Sequence, residues 1–211
     1  MNEHMHENVA AFLKVLDPQD NATGGGTASA VAGAMAGALV AMVARLSIGK
    51  ASADGENGME PASFYKDLDA KAQILASELF DGCRQDSQAF EGVQSAFRLP
   101  KGTEEEKAAR REAIQAAWAH ATRVPLVNAE RCARVLELGA QLRGRSNPSA
   151  ASDLKCALFL ARAGLLGCVE NVEINLPAIR DQELATELAE RARALRRGYG
   201  SESENEANSA V

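Results

Sequence analysis

The hydrophobic positions of this chain recur almost everywhere at helical spacing. From about Asn8, the residues Val9, Phe12, Leu13 and Leu16 predict one face of a short helix, which Asp17-Pro18 ends. Three consecutive glycines, Gly24, Gly25 and Gly26, then open a run of small apolar residues with no charge between Asp20 and Arg45. That run predicts a second helix from Thr27, as its N-cap, to Ser47, with Gly49 as the stop. Pro61 opens a third, whose stripe is Phe64, Leu68, Leu75, Leu79, Cys83, Phe90, Val93 and Phe97. Thr103 to Glu106 form a capping box for a fourth helix, with Ile114, Ala117, Ala121 and Val124 on its apolar face beside Trp118. Pro125 is expected to kink or break that helix before Val127, Cys132, Val135 and Leu142.

Asn147-Pro148 starts a fifth helix, placing Asp153, Cys156, Leu160, Gly164, Gly167 and Asn171 on one face, with Asn175 one turn further. Leu184, Leu188 and Leu195 mark a final amphipathic helix. The fold class that follows is all-α: about six helices in a mostly antiparallel bundle. It occupies one domain over residues 1–200, with a loose acidic tail at 201–211. The ends (Met1 to Met5) and the segment Ala51 to Glu60 read as frayed or solvated chain.

Composition supports that picture. Hydrophobic residues make up 46% of the 211 residues but aromatics only 4%, so the core must rest on Ala, Leu, Val and Met. Such residues favour closely spaced helices over a sheet. The net charge of -6 argues against nucleic acid, which calls for clustered Lys and Arg. Cys83, Cys132, Cys156 and Cys168 lack CxxC spacing and read as reduced thiols of a cytoplasmic protein. The small-residue run approaches the length of a membrane span and contains the Gly33/Gly37 pair, but Ala and Gly dominate it, which favours a buried central helix and no membrane.

Chemistry concentrates in the third and fifth helices. Asp86 lies on the third helix's apolar stripe, seven residues after Leu79 and four before Phe90. A carboxylate there must be paired or put to use. It is either a partner-satisfied structural group or a general acid/base tuned by partial burial. Asp153, Asn171 and Asn175 suggest a polar cavity, although Asp153 could equally cap its own helix. No metal-ligand spacing, phosphate-loop Lys-Ser/Thr pair or Ser-His-Asp set is visible; His4, His6 and His120 have no such company.

An ordered set of short stretches adds to this reading. It comprises Gly24-Gly25-Gly26-Thr27-Ala28-Ser29, Leu46-Ser47-Ile48-Gly49-Lys50, Asp86-Ser87-Gln88-Ala89-Phe90, Leu99-Pro100-Lys101 with Thr103 to Lys107, Val124-Pro125-Leu126, Ser152-Asp153 and Asn171 to Asn175. Together they resemble the cyclodeaminase/cyclohydrolase family of folate enzymes over about residues 20 to 180. The resemblance implies a helical homodimer acting on one-carbon adducts of tetrahydrofolate, with no cofactor beyond that substrate. It implies hydrolysis of 5,10-methenyltetrahydrofolate to the 10-formyl form, the alternatives being cyclodeamination of 5-formiminotetrahydrofolate with release of ammonia, or a non-catalytic folate-binding dimer.

By that resemblance Asp86 is the acidic proton donor, and the glycine turn and Asp153 match positions near the substrate; with the polar face and the basic helix end added, the substrate-binding candidates are Gly24, Gly25, Gly26, Thr27, Ser29, Lys50, Asp153, Asn171 and Asn175. Lys50, Arg145 or Lys155 could meet the substrate's glutamate carboxylates, or serve simply as helix-end charges. Relatives have Pro before the glycines where this chain has Thr23, which predicts a less rigid loop.

Overall fold

A computed structural model describes residues 3–20, 23–51 and 60–199. Six α-helices account for almost all of it, and no strand occurs among the described residues. They are α1 (Glu3–Val15), α2 (Gly25–Ile48), α3 (Ala62–Arg98), α4 (Glu104–Gln141), α5 (Ala151–Asn175) and α6 (Gln182–Tyr199). Most of the expected loop at 51–60 and the acidic tail lie outside the described residues.

The helices α2 to α5 form an up-down-up-down four-helix bundle. Gly37 meets Ala76 while Arg45 reaches Asp69, so α3 runs antiparallel to α2. On its other side, Gly33 abuts Gly164 and Leu46 receives a bond from Asn147, so α5 also descends against α2. The fourth helix closes the square beneath α2, bringing Cys132 under Gly33 and Gly139 beside Val40. Small residues make this close approach possible. A Cβ added at Gly164 would stand 2.8 Å from the Ser29 carbonyl oxygen, a backbone atom that cannot swing aside. The sequence's glycine-thinned faces are therefore helix–helix contacts. By length and apolarity α2 could cross a membrane, and 56% of its apolar window is buried inside the bundle.

Outer helices fill the grooves. Along α6, Arg191 pairs with Glu130 and Arg196 with Glu170 and Glu173, seating that helix on α4 and α5. The groove of α2 and α3 holds α1 by one residue of the expected stripe, Phe12, which packs against the cluster of Ala11, Ala30, Val31 and Cys83. Val9, Leu13 and Leu16 are exposed, while Asn8 and Ala11 are buried. The reason is polar: Asn8 donates to Asp81 at 2.6 Å and accepts from Arg84 at 3.1 Å, which turns its own face inward. The chain is also helical from Glu3, within the stretch expected to fray.

Pro125 neither ends nor breaks α4, which is continuous through it. A proline removes the N–H that would bond the carbonyl four residues earlier. That carbonyl, Ala121 O, instead accepts from Asn175 Nδ2 at 3.0 Å. The capping box is present as expected, with Glu106 N–H donating to Thr103 Oγ1 at 3.1 Å and the Glu106 carboxylate accepting from Thr103 N–H. Asn147 caps a short 3-10 turn, Pro148–Ala150, that leads into α5.

One inequality of length positions the site. The helices α3 and α4 have 37 and 38 residues, whereas α2 and α5 have 24 and 25. Beyond the level of Gly26, α3 continues for about 18 Å at 1.5 Å per residue. It pairs there with the first half of α4 around a small separate core of Ala89, Val93, Ala121 and Val124. Past α5, the chain lies along this overhang, held by Gln115 to Ala178 O and Arg180 N–H to Gln115.

Candidate active site

Asp86 sits at the step where the short helices end and the overhang begins. Its carboxylate lies against the first turn of α2. Thr27 Oγ1 donates to Oδ2 at 2.9 Å, and the Thr27 backbone N–H also bonds the carboxylate. A Cβ at Gly26 would lie 2.6 Å from both carboxylate oxygens. The glycine is needed there because the acid occupies the space a side chain would fill.

The expected N-cap is thereby corrected. The cap position is Gly24, with φ -115° and ψ -158°, and the helix begins at Gly25. Thr27 is in the first turn, where its hydroxyl serves Asp86 instead of its own helix end. Burial raises the Asp86 pKa above the ordinary carboxylate value, and the two Thr27 bonds offset part of that rise. Among the described residues no cation pairs with it. The positive end of the α2 dipole and one hydroxyl are what hold the charged form.

Around this acid, the structure gathers some candidates and separates others. Asn171 Nδ2 stands 3.2 Å from the point a Gly25 Cβ would take, and it donates to Gly167 O at 2.8 Å. Ser29 bonds its hydroxyl back to Gly25 O at 2.6 Å, under Gly167, so it braces the turn and faces a helix contact. Asn175 is nearby but is spent on the carbonyl that Pro125 frees. Just before the glycines, Thr23 Oγ1 donates to Asp20 at 2.6 Å.

Lys50 and Asp153 are elsewhere in the chain. The 24 residues of α2 put its two ends about 36 Å apart. Lys50 follows the far end, where Asn147 N–H donates to Ser47 Oγ at 2.8 Å and α5 begins near Asp153. Arg145 lies at that end too, paired with Glu60 at 3.0 Å. Helical rise alone forbids either residue from reaching Asp86 in the same chain.

Two residues at the site escape a pattern-based reading. Phe90, expected in the core stripe, is 40% exposed one turn beyond Asp86, because the overhang leaves α3 without α2 as a neighbour. Asn128 is fully buried and donates to Gly82 O at 3.3 Å, one turn before Asp86, while its Oδ1 accepts from Arg131. Its sequence signal is an amide among Leu126, Ala129 and Cys132 on the inner face of α4. Of the thiols, Cys83, Cys132 and Cys168 are buried and Cys156 is exposed; all are free, and burial raises the pKa of the buried three. Buried thiols of raised pKa are inert at neutral pH, which leaves the acid as the chemical group of the site.

A half-buried acid with a hydroxyl donor, a glycine-floored approach and an exposed aromatic beside it can exchange protons with a flat, cationic organic substrate. The chain belongs to the formiminotransferase-cyclodeaminase family, whose sequence model matches residues 8–194. A methenyltetrahydrofolate cyclohydrolase of Methylorubrum extorquens is 36% identical over 182 residues, covering 86% of this chain and 85% of that protein. The formimidoyltransferase-cyclodeaminase of Sus scrofa is 28% identical over 90% of this chain, which spans only 34% of that longer protein. Formiminotetrahydrofolate cyclodeaminase of Thermotoga maritima has a crystal structure that superposes with a TM-score of 0.71 at 26% identity. That match covers 89% of this chain and 88% of the other.

Proposed function

We propose that the protein is a methenyltetrahydrofolate cyclohydrolase that works as a homodimer, converting 5,10-methenyltetrahydrofolate to 10-formyltetrahydrofolate. The observation that carries the reading is the Asp86 carboxylate, packed against Gly26, partly buried and raised in pKa by that burial. The similarity to the M. extorquens cyclohydrolase along most of both chains supports the choice of reaction.

The chemistry follows from the groups present. The methenyl carbon belongs to an amidinium and is already electrophilic, so the reaction as written needs only water. The Asp86 carboxylate accepts a proton as the water oxygen bonds to that carbon. It returns a proton to N5 as the carbon–N5 bond breaks, and the hydroxyl proton leaves to solvent as the formyl group forms on N10. A raised pKa suits a group that must be base in one step and acid in the next, and such catalysis contributes about 10²–10⁴-fold. The charged carboxylate also favours the cationic substrate over the neutral product. Phe90 offers a face for the pterin ring, and the glycine turn lets it come close to the α2 backbone.

Cyclodeamination of 5-formiminotetrahydrofolate is the second reading, favoured by the resemblance to the T. maritima structure. It asks the same acid to protonate departing ammonia. The two are separated by supplying each folate to purified protein. Loss of methenyl absorbance with no ammonia from the formimino substrate supports the cyclohydrolase. Ammonia release without methenyl hydrolysis supports the cyclodeaminase, and activity on neither rejects both.

A further inference from the structure

The bundle buries one amide that packing alone does not call for. Asn128 is fully buried on α4, among Leu126, Ala129 and Cys132. Its side chain fills the space over Gly82 of α3: a Cβ there would stand 2.2 Å from Oδ1, 2.8 Å from Cγ and 2.9 Å from Nδ2. Asp86, one turn further along α3, is seated in the same way over Gly26 of α2. The two seats are linked. Gly82 stands four residues before Asp86 in an unbroken helix, so its carbonyl is the one that the Asp86 N–H bonds. Asn128 Nδ2 donates to that same carbonyl at 3.3 Å.

A clamp closes around this contact. Asn128 Oδ1 accepts from Arg131 Nη1 at 3.1 Å, and Arg131 Nε reaches Glu78 at 3.2 Å, so α4 grips α3 at two successive turns, Glu78 and Gly82. The apolar contacts around it are non-directional: they resist separation of the helices far more than sliding along their axes. Burying an amide costs free energy that an apolar side chain in the same seat would not. What the amide adds is direction, a bond to one particular carbonyl. Register matters here because Asp86 must arrive at the height where Thr27 Oγ1 meets it at 2.9 Å.

We infer that Asn128 is a positioning residue for the reaction: by holding the Gly82 carbonyl it fixes the height of α3 against α4, and so sets the Asp86 carboxylate on the first turn of α2. The role is exerted through Asp86 and rests on the cyclohydrolase reading above. The protonation of Asp86 reports its position. Both bonds from Thr27 favour the carboxylate while burial opposes it, so a slip that lengthens those bonds raises the pKa further. Other groups do not mask this. At Gly26 and Thr27, α2 presents nothing titratable to the acid. The ionisable neighbours coupled to it, Cys83 of α3 and Cys168 of α5, are buried thiols that stay neutral, and Arg131 of α4 is held by Glu78 and Asn128.

Steady-state kinetics with methenyltetrahydrofolate and an NMR titration of the Asp86 side chain, assigned with Asp86→Asn, test this together. Asn128→Ala should lower kcat about tenfold, leave KM within about twofold, and raise the pKa seen both in the kcat profile and at the Asp86 carboxyl. Because that truncation also opens a cavity, two further variants separate register from stability. Asn128→Ala/Gly82→Ala, in which a methyl on α3 occupies part of the vacated seat, should melt higher than Asn128→Ala while kcat stays low. Val135→Ala, a buried truncation two turns further along α4, should melt lower than wild type with kcat and pH profile unchanged. Wild-type kcat in Asn128→Ala, recovery of kcat along with melting temperature in the double variant, or an unmoved Asp86 pKa would overturn the inference. The NMR titration needs no turnover, so it decides the role of Asn128 even if the wild type acts on neither folate, a result that would reject the reaction assignment alone.

Discussion

Replacing Gly26 by alanine is the most discriminating small change the structure offers. The new methyl carbon would sit 2.6 Å from both Asp86 oxygens, where ordinary contact begins at 3.4 Å, so the carboxylate must retreat by about 0.8 Å. That movement breaks the 2.9 Å bond from Thr27. Misplacing a reacting group by about 1 Å costs about 10²-fold in rate. On that scale kcat for methenyl hydrolysis should fall about a hundredfold, equivalent to about 2.7 kcal/mol.

Stability should move much less. Losing a hydrogen bond to a charged group costs about 1.5–3 kcal/mol. Alanine's better helix propensity returns about 1 kcal/mol, leaving a net loss of about 0.5–2 kcal/mol. Steady-state absorbance kinetics beside thermal unfolding reads both. Gly92→Ala, where a Cβ meets open space on the exposed side of α3, is the control. It should gain about 0.5–1 kcal/mol in stability with unchanged turnover. Wild-type kcat/KM in Gly26→Ala would refute the claim that this carboxylate's position matters.

Other outcomes follow from the same geometry. Because burial raises the folded-state pKa of Asp86, its charged form destabilises the fold at neutral pH. Asp86→Asn should therefore melt higher than wild type at pH 7, and the gain should fade as pH falls through the raised value to the unfolded one, where the acid is neutral in both states. Asn175→Ala should orphan the Ala121 carbonyl and cost about 1–3 kcal/mol in denaturant unfolding. Combining it with Pro125→Ala, which restores an N–H to that carbonyl, should cut the loss; an equal loss in both backgrounds would contradict the pairing. Phe90→Ala should raise KM for the folate with little change in melting temperature, since its ring is 40% exposed.

Much of this was legible in the sequence, and the rest was not for identifiable reasons. Helical spacing and punctuation located the helices, and an acid on an apolar stripe pointed to Asp86. Periodicity says which residues share a face, but not whether another element covers it. Phe90 and three of the four α1 stripe positions, Val9, Leu13 and Leu16, were therefore misplaced, while Phe12 packs as the pattern expects. Proximity in a family motif set also does not mean proximity in one chain. Lys50 and Asp153 belong to the same ordered stretches as Gly24 and Asp86, yet lie a helix length away. Asn175 needed tertiary knowledge, since its partner carbonyl is left free by a proline 50 positions earlier in the chain.

The central claim is that Asp86 carries the proton exchange, and turnover of methenyltetrahydrofolate by Asp86→Asn tests it most directly. The variant should keep wild-type helical content and oligomeric state, and show no methenyl loss above the uncatalysed rate. A rate near that of the wild type would contradict it.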